Sequence, residues 1–117
     1  MLEDSRINYI ELPAEDLESV KLFYQEAFGW TFQDYGDDYC AFNDGRFDGG
    51  FYRSSLKSDS THGAALVVLY AGDLEATMER VLSAGAKICK PIFSFPGGRR
   101  FHFLDPNGNE LAIWSDQ

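Results

Sequence analysis

Five polar side chains have the type and spacing to do chemistry: Tyr9, Glu11, Arg100, His102 and Glu110. A carboxylate can act as a general base or as the counter-ion of a cation. Histidine titrates near neutral pH, so His102 could move a proton or contact a ligand. A guanidinium takes an anionic group through two parallel hydrogen bonds, a role open to Arg100. Each residue also has a quieter reading. Glu11 could be paired with Arg100 or lie at a wet rim, His102 could be a hydrogen-bonded wall residue, and Arg100 could neutralise Glu11 or Glu110. Glu11 with His102 would form an acid–base pair. Glu11, His102 and Glu110 together could hold a metal. His62 lies in a polar stretch and reads as solvated.

The spacing shows what must hold these groups. Tyr9 and Glu11 alternate with Ile10 and Leu12, and Leu66 and Val68 with Val67 and Leu69. Arg100 and His102 alternate with Phe101 and Phe103, and Glu110, Ala112 and Trp114 with Leu111 and Ile113. Period-two alternation marks strands with one face on a core and the other free for a ligand. With Phe51 added, Tyr9, Glu11, Leu66, Val68, Arg100, His102, Glu110 and Trp114 are expected to line one cavity. Aromatic faces beside carboxylates suit a small aromatic or cationic molecule.

Those strands recur in a repeat. Residues 6–12 read as a strand closed by Pro13, and a helix follows with Asp16 as N-cap and Gly29 as its left-handed stop. Three short strands follow near 30–35, 38–43 and 47–53. After the polar linker 54–63 the pattern restarts: a strand over 64–70, Asp73 as N-cap, Gly85 as stop, then strands near 86–94, 99–104 and 109–114. Asp16-Leu17-Glu18 returns as Asp73-Leu74-Glu75, so residues 1–57 and 58–117 are two copies of one unit. The expected fold is α+β: two βαβββ modules pairing into a curved, partly closed sheet, with helices outside and a hollow inside. Gly49-Gly50 inside a strand suggests a bulge or a close approach, and Asp105-Pro106-Asn107-Gly108 a fold-building turn.

The chain has 117 residues and a formal net charge of −9. That charge argues against nucleic acid and anionic membranes, which need basic patches. No membrane-length apolar run or leader pattern is evident, so a cytoplasmic protein is expected. Cys40 and Cys89 lack metal-type spacing and read as buried thiols.

Several blocks are recognisable. Tyr9-Ile10-Glu11-Leu12-Pro13, Phe23-Tyr24 with Ala27-Phe28-Gly29-Trp30, Ala84-Gly85-Ala86 and Phe103-Leu104-Asp105-Pro106-Asn107-Gly108-Asn109 span nearly the whole chain. Together they resemble the vicinal oxygen chelate superfamily of glyoxalases, fosfomycin- and bleomycin-resistance proteins and extradiol dioxygenases. The resemblance implies paired βαβββ modules, often in a homodimer, and usually a divalent metal held on the inner strand faces. It places three of the metal positions on Tyr9, Leu66 and Ala112, and the fourth in Phe47–Phe51. Leucine and alanine cannot ligate, so no metal cofactor is expected. The sequence thus points to a metal-free, small-molecule-binding member. The alternatives are an enzyme using Glu11 and His102, or a metal enzyme with an atypical site.

Overall fold

The computed structural model describes residues 2–117. Strand β1 (Tyr9–Ala14), helix α1 (Leu17–Phe28) and strands β2 (Thr31–Asp34), β3 (Tyr39–Asn43) and β4 (Asp48–Arg53) form the first module. Strand β5 (Val67–Tyr70), helix α2 (Leu74–Ser83) and strands β6 (Lys87–Phe95), β7 (Gly98–Leu104) and β8 (Glu110–Ser115) repeat it. The two sheets have equivalent orders, β1-β4-β3-β2 and β5-β8-β7-β6. In each, the first strand runs parallel to the last and the other pairs are antiparallel. This is the duplicated α+β architecture expected from the repeat. No helix among the described residues is long and apolar enough to cross a membrane.

The helix ends obey their capping residues. The Asp16 carboxylate accepts from the backbone N–H groups of Glu18 and Ser19, and Asp73 does the same for Ala76. Gly29 ends α1 at φ 74°, in the left-handed region that glycine enters without penalty. Pro13 does not end its strand; β1 continues through it to Ala14. Proline is tolerated here because β1 is an edge strand, and its missing N–H costs no ladder bond on the free side. The Pro13 carbonyl on that edge accepts from the side-chain amides of Asn107 and Asn109, at 3.1 and 2.8 Å.

One core serves both modules. Val20, Phe23, Tyr24 and Ala27 of α1 are buried against Leu12, Phe42 and Phe51, and the same cluster includes Phe101, Phe103, Leu111 and Ile113 of the second sheet. The Phe23 ring lies 5.8 Å from Phe103, and Tyr24, Trp30 and Phe42 stack in series at 4.6 Å each. The modules therefore meet through their helix-side faces. No backbone ladder joins the two sheets among the described residues, so the expected partly closed sheet stays open within this chain. The free faces carry the exposed side chains Tyr9, Tyr52, Val68, Tyr70 and Phe93.

The Asp105–Asn109 turn is a clamp between the halves. Buried Asp105 accepts from the Tyr24 hydroxyl at 2.8 Å, from the backbone N–H of Asn107 and Asn109, and from the Asn109 side-chain amide. Burial raises its pKa, and those hydrogen bonds oppose the rise. Asn107 also accepts from the Glu15 N–H and donates to the Leu56 carbonyl. Each such bond contributes about 1 kcal/mol net, but a buried partner left without one costs about 1–3 kcal/mol. The turn builds the fold, as its sequence suggests.

Candidate functional site

The strand parity read from sequence is the parity of the structure. Ile10, Leu12, Val67, Leu69, Phe101, Phe103, Leu111 and Ile113 pack in or against the core. Their alternating neighbours Tyr9, Glu11, Val68, Arg100, His102, Glu110, Ala112 and Trp114 fall on the free faces. Leu66 precedes β5 in the same parity and is half-buried. Phe51 does not join them. It pairs with Leu12 across the β1–β4 ladder, is fully buried, and packs 5.4 Å from Tyr24 on the helix side.

On the first sheet Glu11 finds a partner that sequence spacing did not suggest. The Tyr39 hydroxyl donates to Glu11 Oε2 at 2.9 Å, and the Tyr9 and Tyr39 oxygens are 2.5 Å apart. Tyr39 spends its only proton on Glu11, so Tyr9 is the donor in the second bond. Burial, then the bonds to Tyr9 and Glu11, push the Tyr39 phenol far above its ordinary range. Gly50 makes this network possible: a methyl group there would overlap the Tyr39 ring and hydroxyl. Gly49 does the same on the other face, where Phe42 and the Ile10 carbonyl occupy the space. The glycine pair is thus a close approach on both sides of β4.

On the second sheet His102 and Glu110 form a buried pair. Only 3% of the His102 side chain and 6% of Glu110 are exposed, and His102 Nδ1 lies 2.7 Å from Glu110 Oε2. The other oxygen, Oε1, accepts from the Ser60 N–H at 2.9 Å and the Ser60 hydroxyl at 2.7 Å. Burial alone would raise the carboxyl pKa, but the bonds from Ser60 and His102 outweigh it and hold Glu110 down at about 2. An ionised carboxylate only accepts, so Nδ1 carries a proton, and in the neutral ring Nε2 then presents its lone pair. That buried Nε2 has no hydrogen-bond partner. Buried polar atoms are nearly always paired, so an orphan on a free sheet face points to a missing partner.

The surroundings are aromatic. The Phe93 ring is 5.9 Å from His102, and the Arg100 guanidinium lies over Phe93 and Phe95 at 5.3 and 5.6 Å. Trp114 packs against Tyr70 and Phe95. Arg100 pairs with neither Glu11 nor Glu110, and its buried Nε is also unpartnered. Sequence reasoning missed Tyr39, Ser60, Phe93 and Phe95. Phe93 and Phe95 alternate, which was the one available signal; Ser60 acts through its backbone N–H and its hydroxyl from a segment read as linker.

Other expectations need correcting. Glu11 and His102 do not form a pair: each is taken by a residue of its own sheet or of the linker. Among the described residues no group of three or more His, Cys, Asp or Glu side chains could hold a metal ion, so the Glu11–His102–Glu110 set does not assemble. The positions implied for the family metal do not fit one either. The Tyr9 hydroxyl is bonded to Tyr39, Leu66 offers no donor, and the Ala112 methyl lies between Val68 and His102 in the ladders. Cys40 is buried as expected, but Cys89 is exposed, on the irregular edge strand β6. His62 is exposed and hydrogen-bonded to Asp59.

Comparison with known proteins agrees with this architecture. A glyoxylase-like domain-containing protein of Didymella fabae is 32% identical over 97% of this chain and 95% of its own. A glyoxalase-related enzyme from Fulvimarina pelagi superposes with a TM-score of 0.79 at 21% identity, covering 95% of this chain and 88% of that one. The fosfomycin resistance protein FosX from Listeria monocytogenes gives 0.79 at 16% identity, over 97% and 94% of the two chains. Likeness at that identity shows the fold alone. The model of the Glyoxalase/Bleomycin resistance protein/Dioxygenase superfamily matches residues 6–113, and the chain belongs to that superfamily.

Proposed function

We propose that the protein binds a small aromatic molecule on the free face of its second sheet, without a metal. The carrying observation is His102 Nε2, a buried ring nitrogen with no partner, whose ring is fixed by Glu110. A ligand hydroxyl or N–H would satisfy it, while Phe93, Phe95 and Trp114 supply apolar surface. Arg100 at the same face favours a ligand that also carries an acceptor. Of the two ligand classes suggested by the sequence, this supports the aromatic one over the cationic one, because both Glu110 oxygens already accept hydrogen bonds from Ser60 and His102. A second copy of the chain, seated on the exposed Tyr9, Tyr52, Val68, Tyr70 and Phe93, would close the hollow that one chain leaves open.

The test is a thermal-shift screen of phenols, their methyl ethers and aromatic ammonium compounds. A ligand stabilises the fold it binds. Phenols should stabilise the parent and lose most of that effect in His102→Phe. Stabilisation by ammonium compounds alone would sink the reading. A second reading has its own support: a carboxylate-held histidine with a free Nε2 is the arrangement of a general base. In that reading Glu110, not Glu11, positions His102.

A further inference from the structure

We propose that the cleft between the two modules is a second binding site, for a small organic anion with an apolar body such as an aliphatic monocarboxylate. The proposal is independent of the His102 face. The two share only the rim formed by Val68, Tyr70 and Trp114.

The cleft has two parts that run together at Trp30, Asp44, Arg46, Val68 and Leu69. The inner part has a volume of about 210 Å³ and is walled by Ile10, Leu12, Phe42, Val67, Leu69 and Leu111. Those walls offer a ligand dispersion contacts and no hydrogen bonds. The outer part, about 660 Å³, is lined by Arg46 and Arg80 beside Asp44 and Asp73. One oxygen of each carboxylate is already engaged. Asp44 accepts from the backbone N–H of Arg46 and Phe47 at 2.9 and 2.6 Å, and Asp73 from Ala76 at 3.1 Å.

The guanidiniums are not neutralised. Arg6, Arg53 and Arg99 each form an ion pair, whereas Arg46 and Arg80 form none among the described residues. Arg80 is nonetheless aimed: its Nε donates to the Ala27 carbonyl at 3.2 Å and one terminal nitrogen to Thr77 Oγ1 at 3.4 Å. The remaining donors are left for an incoming acceptor. In a chain of net charge −9, the cleft mouth balances two guanidiniums against two carboxylates, and the two guanidiniums are the groups with unused donors. Screening limits the repulsion of distant carboxylates to roughly 8 Å at physiological salt, so only Asp44 and Asp73 oppose an anion there. A charged head at the arginines with an apolar tail among Ile10, Leu12 and Val67 uses both parts.

The probes are octanoate and 1-octanol, titrated into the full chain and followed by methyl and backbone NMR. Octanoate should saturate, shifting the Ile10, Leu12, Val67 and Leu69 methyls, and should weaken as salt rises. Arg46→Gln, which touches no structural bond, should weaken octanoate several-fold. Arg46→Gln with Arg80→Gln should weaken it about tenfold or more and leave octanol unchanged, because charge-assisted bonds are lost. Absence of saturation, shifts confined to Phe93 and His102, or equal octanoate affinity in the folded double variant would each overturn the proposal. Shifts confined to Phe93 and His102 would at the same time support the His102 face.

Discussion

The two free sheet faces are built on the same repeat and hold opposite kinds of polar group. On the first sheet, Tyr9, Tyr39 and Glu11 form a chain of hydrogen bonds at the surface, with Tyr9 42% exposed. On the second, His102 and Glu110 are buried and leave one nitrogen unsatisfied. The backbone does not cause this difference, since strand order and parity are equivalent in both modules. Two local substitutions in the repeat cause it. Gly49-Gly50 lets rings lie flat against β4 on the first sheet, whereas the second sheet receives the linker residues Ser58 and Ser60 against Glu110. Duplication supplied a frame, and the residues that cover it decide which face is satisfied and which awaits a ligand.

That contrast can be broken at several points. The largest effect should come from the core that both modules share. Phe103→Ala should cost about 3–5 kcal/mol by urea denaturation, and both sheets should unfold in one transition. Two separate transitions would show that the modules are independent. Next comes acid. Glu110 has a folded pKa of about 2 against an ordinary 4.5, so its contribution is complete above pH 4.5 and is lost as pH falls towards 2. The loss should be on the order of 2–3 kcal/mol. Glu110→Gln should flatten this acid limb.

The glycine pair gives a graded test. Gly49→Ala meets the Ile10 backbone and should cost about 1–3 kcal/mol. Gly50→Ala meets only the movable Tyr39 side chain and should cost less, while releasing Tyr39 from Glu11. The smallest effect is spectroscopic. Ultraviolet titration should find the Tyr39 phenol ionising later than an exposed tyrosine, and Glu11→Gln should bring it earlier. An unchanged titration would remove the Tyr39–Glu11 bond from the comparison.

How much of this could be read from the sequence follows from the range of the interactions. Helix caps are local: Asp16 and Asp73 bond two or three residues ahead, so both were legible. Strand parity is also local, and it placed His102, Arg100, Glu110 and Trp114 on the free face. Phe51 escaped because Asp48-Gly49-Gly50-Phe51-Tyr52 has no alternation; only its pairing with Leu12 in β1 shows which way it faces. Glu11 was visible as a carboxylate on a free face, but its partner Tyr39 is 28 residues away and two strands across. Ser60 reaches Glu110 from a stretch with no periodicity at all. Pairings across the fold have no signature in spacing, and the candidate site is made of such pairings.

The Ser58–Ser60 segment has a consequence for how the chain can be divided. The Ser58 carbonyl accepts from the Glu110 N–H, and Ser60 gives Glu110 two donors. By contact, this segment belongs to the second module, although in sequence it reads as the joint. A gene split or circular permutation that cuts ahead of Ser58 keeps those donors with the half that uses them. A cut after Ser60 strands a buried carboxylate in one fragment and its donors in the other. The structural seam between the two repeats therefore lies before this segment.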